Sequence, residues 1–248
     1  RDTASAMLRD MIARDFNHPS VIMWSVGNEV PVENTDCDSL MRSLMKEARE
    51  LDPSRPASYI SCRFVIDETR KASDICCVNC YLGWYYGDEK HLASLLEATR
   101  TTAPDKPWII TEFGACAERG FRSSSREKYS EDRQDEFISH YIRTINGLDW
   151  ISGWFIWIYR DFRSPIRIHP RQSGFNRKGI VDEKNEKKLI ATRFPQLLEE
   201  QIESNVSGYI EKLVPYIKKL ERFAYNAVFP FAAEGQKRLY DSFFRNKP

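Results

Sequence analysis

Apolar positions along the chain follow two rhythms. Met7, Leu8, Met11 and Ile12 recur at helical spacing within residues 3–16, and Leu40, Met41, Leu44, Met45 and Ala48 do the same within 38–51. Both stretches predict amphipathic helices. Further helices are expected at 89–102 and at 126–148, the second with Phe137, Tyr141, Ile142 and Ile145 on its apolar face. Between these stretches lie short unbroken apolar runs at 21–29, 57–62, 74–81, 107–114 and 151–159. Runs of that length without polar alternation predict strands buried on both faces. Asp2 or Thr3 is placed to cap the first helix, Asn17-His18-Pro19-Ser20 to break it, and Asp52-Pro53-Ser54-Arg55-Pro56 to turn the chain. A short irregular or helical stretch is expected at 67–72.

Helix and strand alternate about five times, an order that implies parallel strands joined by crossover helices. The predicted fold is α/β, a partial (β/α)8 TIM barrel corresponding to strands 4 to 8. Residues 1–200 are expected to form the C-terminal portion of the barrel. Residues 201–248 are expected to form a helical extension, with helical periodicity at 202–223 and 224–244 interrupted by Pro215 and Pro230. A complete barrel needs about 250 residues and eight strands. The chain opens inside a helix, so the first three strands are expected upstream.

Composition narrows the function classes. Lys plus Arg total 37 against Asp plus Glu 36, a net charge of +1, which gives no electrostatic case for nucleic acid or an anionic membrane. No apolar run approaches the roughly 20 residues that span a bilayer. The six cysteines are scattered, and Cys77 and Cys80 make a lone C-x-x-C inside an apolar run. With no second pair to complete a tetrahedral metal site, they read as reduced core thiols, and a cytoplasmic setting is expected. No His, Cys or carboxylate group has metal spacing and no glycine-rich phosphate loop is present, so no metal or cofactor is expected.

Two of the apolar runs end on an acid. Val21-Ile22-Met23-Trp24-Ser25-Val26-Gly27-Asn28-Glu29 is the first and Pro107-Trp108-Ile109-Ile110-Thr111-Glu112-Phe113-Gly114 the second. The C-terminal edge of a parallel barrel is where chemistry is done. Two carboxylates at one rim are what glycosidic bond cleavage requires. Glu29, half-shielded by Trp24, is expected to carry a raised pKa and act as general acid. Glu112 is expected to be held ionised by a tyrosine from the loop Tyr81-Leu82-Gly83-Trp84-Tyr85-Tyr86-Gly87 and to act as nucleophile. The plainer reading is that Asn28-Glu29 merely ends a strand through a turn bond.

Four stretches carry a family resemblance. The run from Asn17 to Glu29 resembles the acid/base signature of glycoside hydrolase family 2, nearest to its β-glucuronidases. Asn79-Cys80-Tyr81-Leu82-Gly83-Trp84-Tyr85, Ile109-Ile110-Thr111-Glu112-Phe113-Gly114 and Phe175-Asn176-Arg177-Lys178-Gly179-Ile180 resemble, in order, that family's tyrosine loop, its nucleophile strand and its N-x-K segment. Cys80 stands where the loop usually has Arg, and Leu82 where it has Tyr. The resemblance covers residues 1 to about 200.

It implies that Glu29 is the acid/base and Glu112 the nucleophile of a retaining double displacement, with the carboxyl groups about 5–5.5 Å apart. It further implies that Asn28 contacts the sugar 2-hydroxyl, that Tyr81 and Tyr85 flank nucleophile and sugar, and that Trp157 forms part of the pocket floor. Asn176 and Lys178 would bind the carboxylate of a glucuronide. The arginines of 160–171 are expected to add a basic patch near the pocket, and His18 to hold the start of the first strand by hydrogen bonding.

The expected partner is thus a carbohydrate, with no nucleic acid and no membrane, and a homo-oligomer would form through parts outside this chain. A β-galactosidase or other member of the family, a barrel glycosidase cutting an internal bond, and a non-catalytic carbohydrate-binding barrel are the alternatives. Family members carry a sugar-binding sandwich and an immunoglobulin-like domain ahead of the barrel. The chain is therefore expected to be a fragment, inactive or poorly folded by itself.

Overall fold

The computed structural model describes residues 1–200, of which Arg1–Leu197 form one compact unit. The helices expected at 202–223 and 224–244 lie outside the described residues. Five parallel strands make one sheet in the order of the sequence: β1 (Trp24–Asn28), β2 (Ala57–Ser61), β3 (Cys76–Asn79), β4 (Trp108–Glu112) and β5 (Ile151–Trp154). Helices α1 (Asp2–Asp15), α2 (Thr35–Leu51), α3 (Leu92–Arg100) and α4 (Glu131–Asn146) alternate with them. This is the expected partial α/β barrel. Two short strands, β6 (Phe162–Arg163) and β7 (Phe175–Asn176), pair antiparallel beyond β5.

Two apolar clusters hold the layers together. One joins α1, α2, β1 and β2 through Leu8, Ile12, Trp24, Met41, Met45 and Tyr59. The larger joins β3, β4, α3 and α4 through Val78, Leu92, Leu96, Trp108, Ile110, Phe137 and Tyr141. Helix α2 shows how local chemistry sets an element. Asn34 caps it by accepting from the backbone N–H groups of Asp36 (2.8 Å) and Cys37 (3.4 Å), and Met41, Leu44, Met45 and Ala48 bury one face.

Several boundaries differ from expectation, each for an identifiable reason. β1 begins at Trp24 because the carbonyls ahead of it are taken by a side chain: the Arg55 guanidinium donates to Phe16 O (2.8 Å) and Val21 O (2.7 Å). Nor is β1 fully buried. It pairs only with β2 among the described residues, and Ser25 and Asn28 are exposed. The His18 ring does not hold this segment; its backbone carbonyl does, accepting from Val21 N–H at 3.1 Å.

Helix α1 has Arg1 at its N-cap position with no side-chain cap, so neither Asp2 nor Thr3 serves. α4 starts at Glu131, capped by the Ser130 hydroxyl, because Arg126 and Tyr129 have positive φ angles that a helix does not accommodate. β5 stops at Trp154, and the next residues keep only single bonds to the sheet: Phe155 N–H donates to Ile110 O and Trp157 N–H to Phe113 O, each 2.9 Å. All six cysteines are free; Cys76, Cys77, Cys80 and Cys116 are buried, while Cys37 and Cys62 are partly exposed.

Candidate active site

The C-terminal tips of β1, β3 and β4 converge on two acids. Glu29 follows β1 with φ +54°, a left-handed conformation that costs a residue with a side chain about 1–3 kcal/mol. Its backbone N–H is tied to Ile60 O on β2 at 2.9 Å. β3 shifts register between Val78 and Asn79, which sets Asn79 opposite Glu112. Such irregularities re-aim side chains at strand ends. Here the Asn79 amide donates to Glu29 Oε1 (2.9 Å) and to Asn28 Oδ1 (3.1 Å), while its own oxygen accepts from the Thr111 hydroxyl (2.8 Å). Asn79 was not among the residues singled out from sequence. It stands at the tip of an apolar strand one position ahead of Cys80-Tyr81, a signal shared with Asn28 and Glu112.

Glu112 sits in a drier setting. The Tyr81 hydroxyl donates to its Oε2 at 2.7 Å. Desolvation is the largest influence on this carboxyl, and with the nearby Glu29 charge it pushes the pKa up; the bonds from Tyr81 and Asn79 and the Lys178 charge pull it back only in part. Glu29 is instead exposed. Trp24 does not shield it: five strand steps of about 3.3 Å put the two residues roughly 16 Å apart. The Trp24 indole is buried at the far end of β1, donating to Asp52 Oδ2 at 2.9 Å.

The tyrosine loop works as a tight turn with two faces. Tyr81 O accepts from the N–H groups of Trp84 (3.0 Å) and Tyr85 (3.1 Å). Trp84 points into the core, edge-on to Tyr129 and Phe137, with the Lys128 ammonium 4.5 Å from its ring centre. Tyr81 faces Glu112, and Tyr85 packs beside it, their ring centres 5.2 Å apart. The Tyr85 hydroxyl meets the Lys178 ammonium, which also lies 4.7 Å from the Tyr85 ring centre and 5.3 Å from that of Tyr81.

Lys178 is 1% exposed and is set by a buried framework. Asp161, fully buried, accepts from Gly179 N–H and from the Lys188 ammonium, both at 2.8 Å, and pairs with Arg177 at 3.3 Å. Asp161 thus positions the segment that carries Lys178, a role hidden in sequence among neighbouring arginines. Asn176 is buried, its side-chain oxygen accepting from Lys178 N–H at 3.2 Å. Trp157 is half-buried and stands edge-on to Phe162. Its carbonyl comes so close to Gly114 that a Cβ there would lie 2.3 Å from it, with Lys178 Cδ at 3.8 Å. Only glycine lets the β4 and β5 tips approach this closely.

The basic patch expected over 160–171 is divided. Arg171 pairs with Glu118 (2.9 Å) and Arg163 lies over Phe175, whereas Arg167 lies over Tyr85, 5.8 Å from its ring centre. Among the described residues no group of His, Cys, Asp or Glu could hold a metal ion.

The family model for the glycosyl hydrolases family 2 TIM barrel domain matches residues 2–198. The chain belongs to glycosyl hydrolase family 2. A β-glucuronidase of Paenibacillus borealis is 34% identical over 192 residues, covering 75% of this chain and 32% of that protein. The human β-glucuronidase is 29% identical over 200 residues, covering 75% and 29%. Among solved structures, the β-D-glucuronidase of Dictyoglomus thermophilum superposes with a TM-score of 0.72 at 32% identity, covering 81% of this chain and 35% of that one. A family 2 β-galacturonidase of Eisenbergiella tayi, bound to galacturonate, gives 0.71 at 29% identity, covering 81% and 36%. The chain therefore spans about a third of the length of the family 2 relatives it matches.

Proposed function

We propose that this segment supplies the catalytic acids of a retaining exo-β-glycosidase acting on a terminal β-glucuronide. Glu29 protonates the glycosidic oxygen while Glu112 attacks the anomeric carbon, giving a glycosyl-enzyme and releasing the aglycone. Water then adds to the anomeric carbon as Glu29 takes its proton, which frees Glu112. Asn28 takes the sugar 2-hydroxyl, Tyr81 and Tyr85 flank the ring, and Trp157 closes the floor. The observation that carries the reading is the Asn79–Tyr81 bracket: one amide bonded to Glu29 and, two residues on, one hydroxyl bonded to Glu112. Such a bracket holds one acid in contact with water and the other away from it, as a proton donor and a nucleophile need.

A buried ammonium at Lys178 beside Asn176 favours a sugar bearing a carboxylate over a neutral hexose. That chemistry serves a β-galacturonide equally, and the likeness to a β-galacturonidase supports this second reading. Six free thiols support the expected reducing, cytoplasmic setting.

The test is turnover of nitrophenyl β-glucuronide, β-galacturonide and β-galactoside by the protein that contains this chain, with NMR of the first sugar released. Preference for a uronide with β-anomer appearing first is the expected result. Preference for the galactoside would overturn the sugar assignment, and α-anomer appearing first would overturn the retaining mechanism.

A further inference from the structure

We infer that Arg133, on α4, is a positioning residue for the proposed reaction: with Glu89 it clamps the turn that aims Tyr81 at Glu112. The inference rests on the glycosidase reading above and adds to it an ion pair remote from both acids. The Arg133 guanidinium pairs with Glu89 Oε1 at 2.6 Å, with the two side chains only 16% and 23% exposed. It also lies 3.4 Å from Glu136 and over the Phe137 ring. The arginines of nearby pairs, Arg122 with Asp132 and Arg126 with Glu136, are instead 58% and 57% exposed. Exposed pairs of that kind fix little, whereas a partly buried pair holds its groups in place.

The Arg133–Glu89 pair sits on the tyrosine loop at its tightest point. Gly83 has φ +85°, and a Cβ there would lie 2.8 Å from both the Cβ and the backbone nitrogen of Glu89. Only glycine admits that approach. Arg133 Nη2 lies 3.5 Å from Gly83 O, and the His140 ring nitrogen meets Glu89 O at 3.0 Å. Two residues of α4, two turns apart, therefore grip Glu89 by its side chain and its backbone.

The loop satisfies its own N–H groups: Gly83 N–H donates to Tyr86 O (2.7 Å), and Trp84 and Tyr85 donate to Tyr81 O. Its carbonyls are held from α4 and the segment leading into it. Leu82 O accepts from the Tyr141 hydroxyl (2.7 Å) and Trp84 O from the Lys128 ammonium (3.2 Å), with Gly83 O between them opposite Arg133. The planar fork of a guanidinium can bond Glu89 and reach Gly83 O together, which the compact ammonium of a lysine does less well. What the clamp fixes is the bond from the Tyr81 hydroxyl to Glu112, and such bonds weaken steeply when donor and acceptor lose alignment.

The experiment compares Arg133→Gln, Arg133→Lys and Tyr81→Phe, with each Arg133 variant also combined with Tyr81→Phe, in the protein that contains this chain. Rates are measured on the nitrophenyl β-glycoside it turns over. Arg133→Gln should lower kcat by about 3- to 10-fold and move the acid limb of kcat/KM to higher pH, as loss of the Tyr81 donor does. The charged neighbours of Glu112, namely Glu29 after β1 and Lys178 after β7, are retained in every variant. In the Tyr81→Phe background the same substitution should change kcat by less than about twofold, because the bond it acts through is already gone. Arg133→Lys keeps the charge beside Glu89 and should recover part of the loss.

The same fold loss in both backgrounds, or an acid limb that stays in place, would mean that Arg133 only stabilises the fold and would overturn the inference. If Arg133→Gln does not fold, Arg133→Lys decides by the same comparison, with a smaller loss that again disappears in the Tyr81→Phe background. Turnover that survives Glu112→Gln would instead remove the catalytic reading, and the inference with it.

Discussion

Glu29 and Glu112 stand at the same edge of one sheet, on strands separated by two others, and live in different surroundings. Glu29 terminates β1, which pairs on one side only among the described residues; the residue is exposed and its backbone is left-handed. Glu112 terminates β4, flanked on both sides by strands and backed by the larger apolar cluster, with its pKa raised by desolvation. The difference suits the two proposed tasks. A group that must exchange protons with leaving group and water gains from contact with solvent. A nucleophile gains from a fixed, drier position in which its attack is aimed. Asn79, on β3 beside β4 and one strand removed from β1, joins the two, so the contrast is built into strand tips of one sheet rather than assembled from distant loops.

The comparison is broken most severely at the nucleophile. On the proposed roles, Glu112→Gln should lower kcat by about 10⁴-fold or more on any substrate, because the carboxylate that forms the glycosyl-enzyme is removed. Glu29→Gln should cost about 10²–10⁴-fold, the usual worth of a general acid. Its loss should shrink when the leaving group is a nitrophenolate that needs little protonation. Steady-state rates on nitrophenyl and alkyl glycosides separate the two acids. If the Glu112→Gln loss, and not the Glu29→Gln loss, varied with the leaving group, the roles would be reversed.

Much of the fold is legible in the sequence alone. Unbroken apolar runs ending on Glu29 and Glu112 announce parallel strands with acids at their tips, although β1 keeps Ser25 and Asn28 exposed and only β4 has a strand on each side. Periodicity could not report what depends on contacts distant in sequence. Arg55 shortens β1 by taking carbonyls more than thirty positions away, and Trp24, the expected shield of Glu29, is drawn to Asp52. Asn79 shares the strand-tip position of Asn28, but nothing local marks which partners its amide meets. Its role comes from a one-residue shift in the pairing of β3 with β4.

The core behind the two acids is equally unequal. Phe137 is fully buried, stacked on Tyr141 at 4.5 Å and edge-on to Trp84 at 6.4 Å, so it supports the loop that presents Tyr81 to Glu112. Phe137→Ala should reduce stability by about 3–5 kcal/mol through the lost apolar contact and the cavity left behind. The loosened loop should act on Glu112 more than on Glu29. Denaturant midpoints measure the first effect. The acid and alkaline limbs of the kcat/KM profile measure the second, and only the acid limb, set by Glu112, should move. Movement of the alkaline limb alone would show that Phe137 supports the other acid.

The mildest change tests the cause of that acid limb. Glu112 must be ionised to attack, and its raised pKa places the limb above the ordinary glutamate value near 4.3. The Tyr81 hydroxyl bonds the ionised form and so opposes the rise. Tyr81→Phe keeps the ring beside Tyr85 and removes that donor alone, so the Glu112 pKa should climb further and the acid limb should move to higher pH. At the optimum, kcat should fall about tenfold, the worth of one hydrogen bond to a charged group. A limb that moved to lower pH would mean that Tyr81 favours the protonated carboxyl, and desolvation would no longer account for the difference between the two acids.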